Sequence, residues 1–321
     1  MIKYMTEKLF VSSSPHFRGK DSTARIMSDV LIALVPVIIA STIIFGFRVL
    51  LIVSFCVSSC VFLEFICRRI MKRYMSIGDL SAPVTGALLA LSLPVNISLF
   101  LAFFGCVVAI VVAKQFFGGI GQNFINPAIA GRVAMVVSFP THMTDWSWAG
   151  ETVDAVTTGT VVDAVTTATP LAGGEWTYLD LFLGFVRGSI GETCAAAILI
   201  GFMYLLVRRV IKPIIPLYFV GTVAVFAFLF GENIPFHILS GGLLFVAVFM
   251  ATDYSTSPLS SKGKVFFGIG CGIITVIIRV FGALPEGVSF AILLMNILTP
   301  HIDRLTVPKT FGTKRRTGKK I

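Results

Sequence analysis

Apolar residues run on along this chain for lengths that no amphipathic surface helix or alternating strand would need. Short polar or basic stretches punctuate them. The runs predict helices over Val30–Phe45, Val49–Cys67, Ala82–Leu93, Ile97–Lys114, Phe124–Phe139, Ile190–Val207, Ile214–Phe230, Phe236–Ala251, Val265–Phe281 and Val288–Thr299. A membrane crossing takes roughly 20 mostly apolar residues, with a range of about 17–25. Several runs fall slightly short, so their ends are soft. Ala82–Leu93 is clearly too short, with Pro83 inside its start and Pro94 just after its end. Backbone in lipid must satisfy its own hydrogen bonds, so this piece is predicted to be a broken or half-inserted helix within the bundle. The pattern predicts an all-α polytopic membrane protein with about ten transmembrane helices.

Composition agrees. Of the 321 residues, 56% are hydrophobic and only 13% are charged, about half the charge of a soluble domain; mean hydropathy is +0.91. An ordinary soluble enzyme, a disordered tail and a disulfide-stapled module are excluded. A β-barrel is excluded too, because barrel strands alternate over about ten residues. The six Cys include no C-x-x-C pair, which argues against zinc or iron–sulfur ligation. Residues 1–29 carry charges and no apolar h-region, so the first span is expected to act as its own insertion signal.

Charge placement sets the expected orientation. With the N-terminus inside, every Lys and Arg of the 26 falls on the cytoplasmic side except Arg48, Arg132, Arg187 and Arg279. Positive-inside bias therefore predicts both termini in the cytoplasm. The net charge of +10 is then membrane anchoring and not a nucleic-acid patch. The expected organisation is a cytoplasmic segment (1–29), five spans (30–139), an extracytoplasmic loop (140–189), five more spans (190–302) and a basic cytoplasmic tail (303–321).

The two groups of spans carry matching signatures. Thr85-Gly86-Ala87-Leu88-Leu89 is echoed by Ser240-Gly241-Gly242-Leu243-Leu244. Cys106, Lys114 and Phe116 recur at identical spacing as Cys271, Arg279 and Phe281. Gly121-Gln122-Asn123-Phe124 recurs as Gly287-Val288-Ser289-Phe290. Because five is odd, the second copy must be upside down: two inverted five-helix repeats are expected, with a pathway at their interface. Candidate residues for an ion pathway or a second cofactor are Thr85, Gly86, Ser240, Gly241, Asn126, Arg132 and Asp253. The competing explanation for the glycines is close helix packing. Glu64, with Arg68 one turn on, reads as an interfacial ion pair. Arg132 is expected to offset the negative charge of a bound group, a carboxylate or a partner subunit. Cys106 and Cys271 read as packing residues, and His237 and His301 lack the spacing of haem ligands. No catalytic or metal site is expected in the chain.

The outward loop repeats itself. Asp154-Ala155-Val156-Thr157-Thr158-Gly159-Thr160 is followed by Asp163-Ala164-Val165-Thr166-Thr167-Ala168-Thr169-Pro170-Leu171. The second copy resembles the flavinylation motif of a family of membrane subunits: the D subunits of Rnf ion-translocating electron-transport complexes and the homologous B subunits of sodium-pumping NADH:quinone oxidoreductases. Ser13-Ser14-Pro15-His16, Asn123-Phe124-Ile125-Asn126-Pro127-Ala128, Met250-Ala251-Thr252-Asp253 and Pro308-Lys309-Thr310-Phe311-Gly312 resemble the Rnf members in particular. Thr166-Thr167 departs from the Ser-Gly that relatives often carry; the following Ala168-Thr169-Pro170 is intact.

The resemblance implies FMN joined through its phosphate to the Thr169 hydroxyl, with Thr166, Ala168 and Pro170 as the recognition context for a flavin transferase. Thr160, followed by Val, is the decoy. The resemblance further implies a second, non-covalent flavin (riboflavin) in the bundle and a prokaryotic cytoplasmic (inner) membrane location. It implies other membrane and peripheral subunits that hold the nicotinamide and iron–sulfur chemistry, and transport of Na⁺ or H⁺ coupled to electron flow between ferredoxin and NAD. The inverted repeat alone would also suit a stand-alone channel or secondary transporter, and the family includes the quinone-reducing complex as the alternative assembly.

Overall fold

The computed structural model describes residues 22–144, 146, 177–282 and 287–307. Among these, every regular element is helical. Ser22 accepts the Arg25 amide and starts α1, Thr23–Phe45. The apolar pattern alone places that start at Val30. The cap moves it earlier, because the first turns carry polar residues whose backbone the Ser22 cap begins to satisfy. Gly46 ends α1, and α2 follows over Arg48–Ile70. After a 3₁₀ turn at Ile77–Asp79 come α3, Ser81–Leu91, and α4, Leu99–Val107; α4 continues as a π-helix over Val108–Gln115. Asn126 caps α5, Pro127–Ser138, and Pro127 stands in the first turn, where its missing N–H does no harm. Two short helices, α6 (Pro140–Met143) and α7 (Tyr178–Leu183), precede α8, Ala195–Val207.

The second half continues with α9, Ile214–Leu229, then α10, Ile234–Leu239, and α11, Leu243–Phe245, which runs on as a π-helix over Val246–Met250. It closes with α12, Ser261–Phe281, and α13, Val288–Thr306. Four helices, α1, α2, α12 and α13, are long and apolar enough to cross a membrane; α3, α4 with its π extension, α5, α8 and α9 are shorter and apolar.

Two expected spans differ in a telling way. The run from Ile190 begins its helix only at Ala195; residues 190 and 191 instead donate backbone N–H groups to Leu93 and Leu91, at 3.1 and 2.6 Å. The run Phe236–Ala251 is interrupted at Ser240–Gly242, where Gly241 and Gly242 take φ of 66° and 68°. Left-handed backbone at two successive residues halts a right-handed helix, and glycine is the residue that tolerates it.

The shortest apolar pieces lie deepest. Every residue of α3 except Pro83 is buried, the signature of a helix with protein on all sides. All of Val246–Met250 is buried as well. At 1.5 Å per residue α3 is about 17 Å long, roughly half a bilayer core. It packs against α1, α2 and α5, while α9 packs on α12 and α12 on α13. Gly86 is the point of closest approach to α2: a Cβ there would lie 2.8 Å from the Cys56 carbonyl oxygen and from the Val57 Cα.

Gly86→Val is therefore expected to force α2 and α3 apart and to destabilise the protein by ~1–3 kcal/mol, the usual range for overpacking. Thermal unfolding of the purified protein in detergent checks this, and an unchanged midpoint would contradict the close approach.

Candidate functional site

Helix ends gather at one end of the bundle. The first turns of α1, α3 and α5 meet the last turns of α8 and the π segment Val246–Met250, and between them lies a cavity of about 80 Å³. One water needs roughly 10–15 Å³ measured this way, so the space holds several. Val84, Leu88, Val248 and Phe249 supply its apolar walls, and Thr85, Lys114, Asn126 and Asp253 its polar ones.

Asn126 ties the two halves together. Its Oδ1 accepts the Ala128 and Ile129 amides and its Nδ2 donates to the Met250 carbonyl at 3.1 Å. Ser255 adds a second tie, donating to Asn123 Oδ1 at 3.0 Å and lying within hydrogen-bond reach of Asp253. Asp253, in the loop after the π segment, also accepts from Thr256 at 3.1 Å. Burial raises its carboxyl above the ordinary aspartate value, and these hydrogen bonds offset part of that rise.

Lys114 closes one wall. Its ammonium donates to Glu64 Oε2 at 2.7 Å and to Ser81 Oγ at 2.6 Å, and both side chains of the ion pair are almost fully enclosed. Ser76 donates to the other Glu64 oxygen at 2.6 Å, and Ser81 donates to Asp79. The expectation of a Glu64–Arg68 pair is thus corrected. Arg68 donates to the Tyr74 carbonyl and lies beside Gly119, because a buried Glu64 faces α4 rather than the membrane surface. A carboxylate deep in the bundle needs a cation at its own depth, and that cation is Lys114.

A second buried ion pair lies farther along. Arg132 of α5 pairs with Glu192, on the turn before α8, and their side chains are 2% and 5% exposed. Arg132, expected to offset some negative charge, finds it within the same chain. Glu192 has no sequence signal beyond its place at a span edge. The Glu192 carboxyl fills the space beside Gly242 that a Cβ would occupy.

Ser240 and Gly241 are placed elsewhere, away from the cavity lining. Arg279 donates to the carbonyls of His237, Ser240 and Gly241 at 2.7, 3.2 and 3.3 Å, and so satisfies the helix break. Arg48 does the same after α3, donating to Val95 at 2.8 Å. Among the candidate pathway residues, the structure brings Thr85, Asn126 and Asp253 to one cavity. Gly86 faces α2, and Arg132 lies deeper. Thr166, Ala168, Thr169 and Pro170 lie outside the described residues. Cys106 and Cys271 are fully buried in the apolar core. Among the described residues no group of His, Cys, Asp and Glu is arranged to hold a metal.

Comparison with known proteins adds the family. Residues 10–312 match the model of the NQR2, RnfD, RnfE family. The chain belongs to this family. Among similar curated proteins, the D subunit of the Na⁺-translocating ferredoxin:NAD⁺ oxidoreductase complex of Acetobacterium woodii is 45% identical over 316 residues, covering 96% of each chain. The D subunit of the proton-translocating ferredoxin:NAD⁺ oxidoreductase complex of Clostridium ljungdahlii is 38% identical, over 95% of this chain and 96% of that one. The D subunit of the ion-translocating oxidoreductase complex of Stutzerimonas stutzeri is 36% identical, over 92% and 94%. In this member of the family the Lys114–Glu64 pair is a checkable element of the cavity wall.

Lys114→Met should destabilise the protein by about 3–5 kcal/mol, because it leaves a buried carboxylate without its cation. Adding Glu64→Gln to it should recover most of that loss. Thermal unfolding of the single and double variants checks the coupling; equal midpoints would show that the pair is not carrying it.

Proposed function

We propose that the chain serves as the D-type membrane subunit of an ion-translocating ferredoxin:NAD⁺ oxidoreductase complex. The observation that carries this reading is the end-to-end match to the D subunits of such complexes, over 96% of both chains in one case. Length coverage of this kind favours the D-type role over a stand-alone channel or transporter. The redox chemistry at ferredoxin and NAD⁺ then belongs to other members of the complex, and this chain contributes the membrane part through which electron flow is coupled to Na⁺ or H⁺ movement.

The finer reading has three parts. First, Thr169 carries FMN as a phosphoester, supported by the Ala168-Thr169-Pro170-Leu171 sequence and its family resemblance. A tethered flavin supplies one- and two-electron chemistry that side chains lack. Second, a non-covalent flavin lies in the bundle, a reading supported by the family resemblance. The cavity, at about 80 Å³, is sized for several waters, whereas ligand pockets take roughly 300 Å³ or more, so the ring would need the walls at Val84, Leu88, Val248 and Phe249 to part. Third, the chain crosses the membrane about ten times as two inverted repeats, with both termini inside. Support comes from the charge distribution and from the two short enclosed segments, α3 and Leu243–Met250, one in each half.

Two experiments test the first and third parts. When the protein is co-expressed with a flavin transferase, Thr169→Ala should abolish the ultraviolet-fluorescent band on a denaturing gel, and Thr160→Ala should leave it. Fluorescence in both variants, or loss only with Thr160→Ala, would move the attachment site. For topology, Cys is introduced at Glu151 or at Lys314 in a variant lacking the native Cys. An impermeant thiol reagent applied to intact cells should label the first and not the second, and the reverse pattern would invert the orientation.

A further inference from the structure

The cavity ends short of the Arg132–Glu192 pair. Asn126 on its wall is six residues before Arg132 on the same stretch of α5, about 9 Å at the helical rise. Val248, also on the wall, stands six residues after Gly242, against which the Glu192 carboxyl lies. The segment that carries Glu192 is anchored at its start. Residues 190 and 191 donate backbone N–H groups to Leu93 and Leu91 at the end of α3, and Ser41 Oγ donates to the Ile190 carbonyl at 2.5 Å. Four elements therefore converge on one ion pair: α3 at its carbonyl end, α5, the turn before α8, and the start of Leu243–Met250.

Two hydroxyls on the same segment are unaccounted for. Ser189 is 0% exposed and Thr193 3% exposed. Among the described residues neither hydroxyl oxygen has a hydrogen-bond partner. A buried hydroxyl without a partner is normally unfavourable, and here both lie on the short stretch of chain that carries the Glu192 carboxylate. Oxygen ligands of this kind (a carboxylate, hydroxyls and nearby carbonyls) are what a hard cation takes.

We propose that Glu192 is an exchange site for the transported monovalent cation. In the structure described, the Arg132 guanidinium occupies the carboxylate. A cation arriving from the cavity displaces the guanidinium and takes Glu192 together with the Ser189 and Thr193 hydroxyls. The carboxylate stays paired throughout, while the displaced guanidinium keeps its own charge, so the loaded site carries one extra positive charge and that repulsion favours onward release. Arg132 thus sets how much free cation is needed to load the site. This rests on the reading of the chain as the ion-translocating subunit.

The experiment uses the whole complex in sealed vesicles, with electron transfer from reduced ferredoxin to NAD⁺ followed alongside cation uptake. Arg132→Lys keeps a cation beside Glu192 but replaces the rigid planar guanidinium with a compact ammonium on a flexible stem. It should lower the half-saturating cation concentration for uptake at least threefold. Titrating Na⁺ at fixed pH, and pH at fixed Na⁺, shows which cation competes. The double variant Arg132→Gln with Glu192→Gln leaves no bare charge; its cation uptake per electron transferred should fall at least tenfold. An Arg132→Lys complex with the wild-type half-saturating concentration for both cations would overturn the proposal. So would a double variant with wild-type uptake per electron. A wild-type complex that moved neither cation would instead remove the subunit reading on which the proposal rests.

Discussion

A helix that stops inside a membrane leaves as many as four carbonyls or four amides with no water to receive them. That constraint bears on this molecule, because α3 ends, and the stretch from α10 to Met250 breaks at Ser240–Gly242, within a largely apolar helical protein. Different devices meet it at each break. At the end of α3 the turn before α8 brings its own N–H groups to Leu91 and Leu93, and Arg48 takes the Val95 carbonyl. At the Ser240–Gly242 break Arg279 takes three carbonyls at once. Arginine suits this work: its fork of donors stays charged and reaches several acceptors from one side chain.

Enclosed charges follow the same logic of completeness. Glu64 has Lys114 and Ser76, Lys114 has Ser81 besides, and Arg132 has Glu192. Neither pair is at the lipid face; each joins elements far apart in the chain. The pairs are weak evidence for added stability over an apolar packing, but they fix which helices meet. The first locks α2 to the π extension of α4 beside the cavity, and the second locks α5 to the entrance of α8, at the junction of the halves.

Much of this is legible in residue order. The apolar runs locate the helices, and the length of Ala82–Leu93 with its prolines already marks α3 as a partial helix. Hydropathy places the start of α1 about two turns late, because it does not see a serine cap. The Glu64–Arg68 pairing fails for a different reason: a one-turn rule knows only neighbours on the same helix, whereas Lys114 comes from the far end of α4. A charge such as Lys114 at the end of an apolar run, with an unmatched Glu64 two runs earlier, is the signal available. Glu192 cannot be told from an ordinary residue at a span edge. Its role depends on α3 stopping where it does. The break in Phe236–Ala251 is visible only as a Gly-Gly pair, whose left-handed geometry composition does not encode.

The separation of Glu64 from Lys114 in the chain also bears on how the protein is made. Ribosomes deliver α2 to the membrane well before α4 exists, so Glu64 enters the insertion machinery without its cation. During that interval its side chain has no partner at its own depth, an arrangement that hydrocarbon surroundings penalise. α3, which has almost no lipid-facing surface of its own, has little reason to leave the insertion pore alone. The arrival of Lys114 gives Glu64 its partner and α3 its wall. Biogenesis of the first half is therefore expected to proceed as a single late step, in which α2, α3 and α4 leave together rather than one by one.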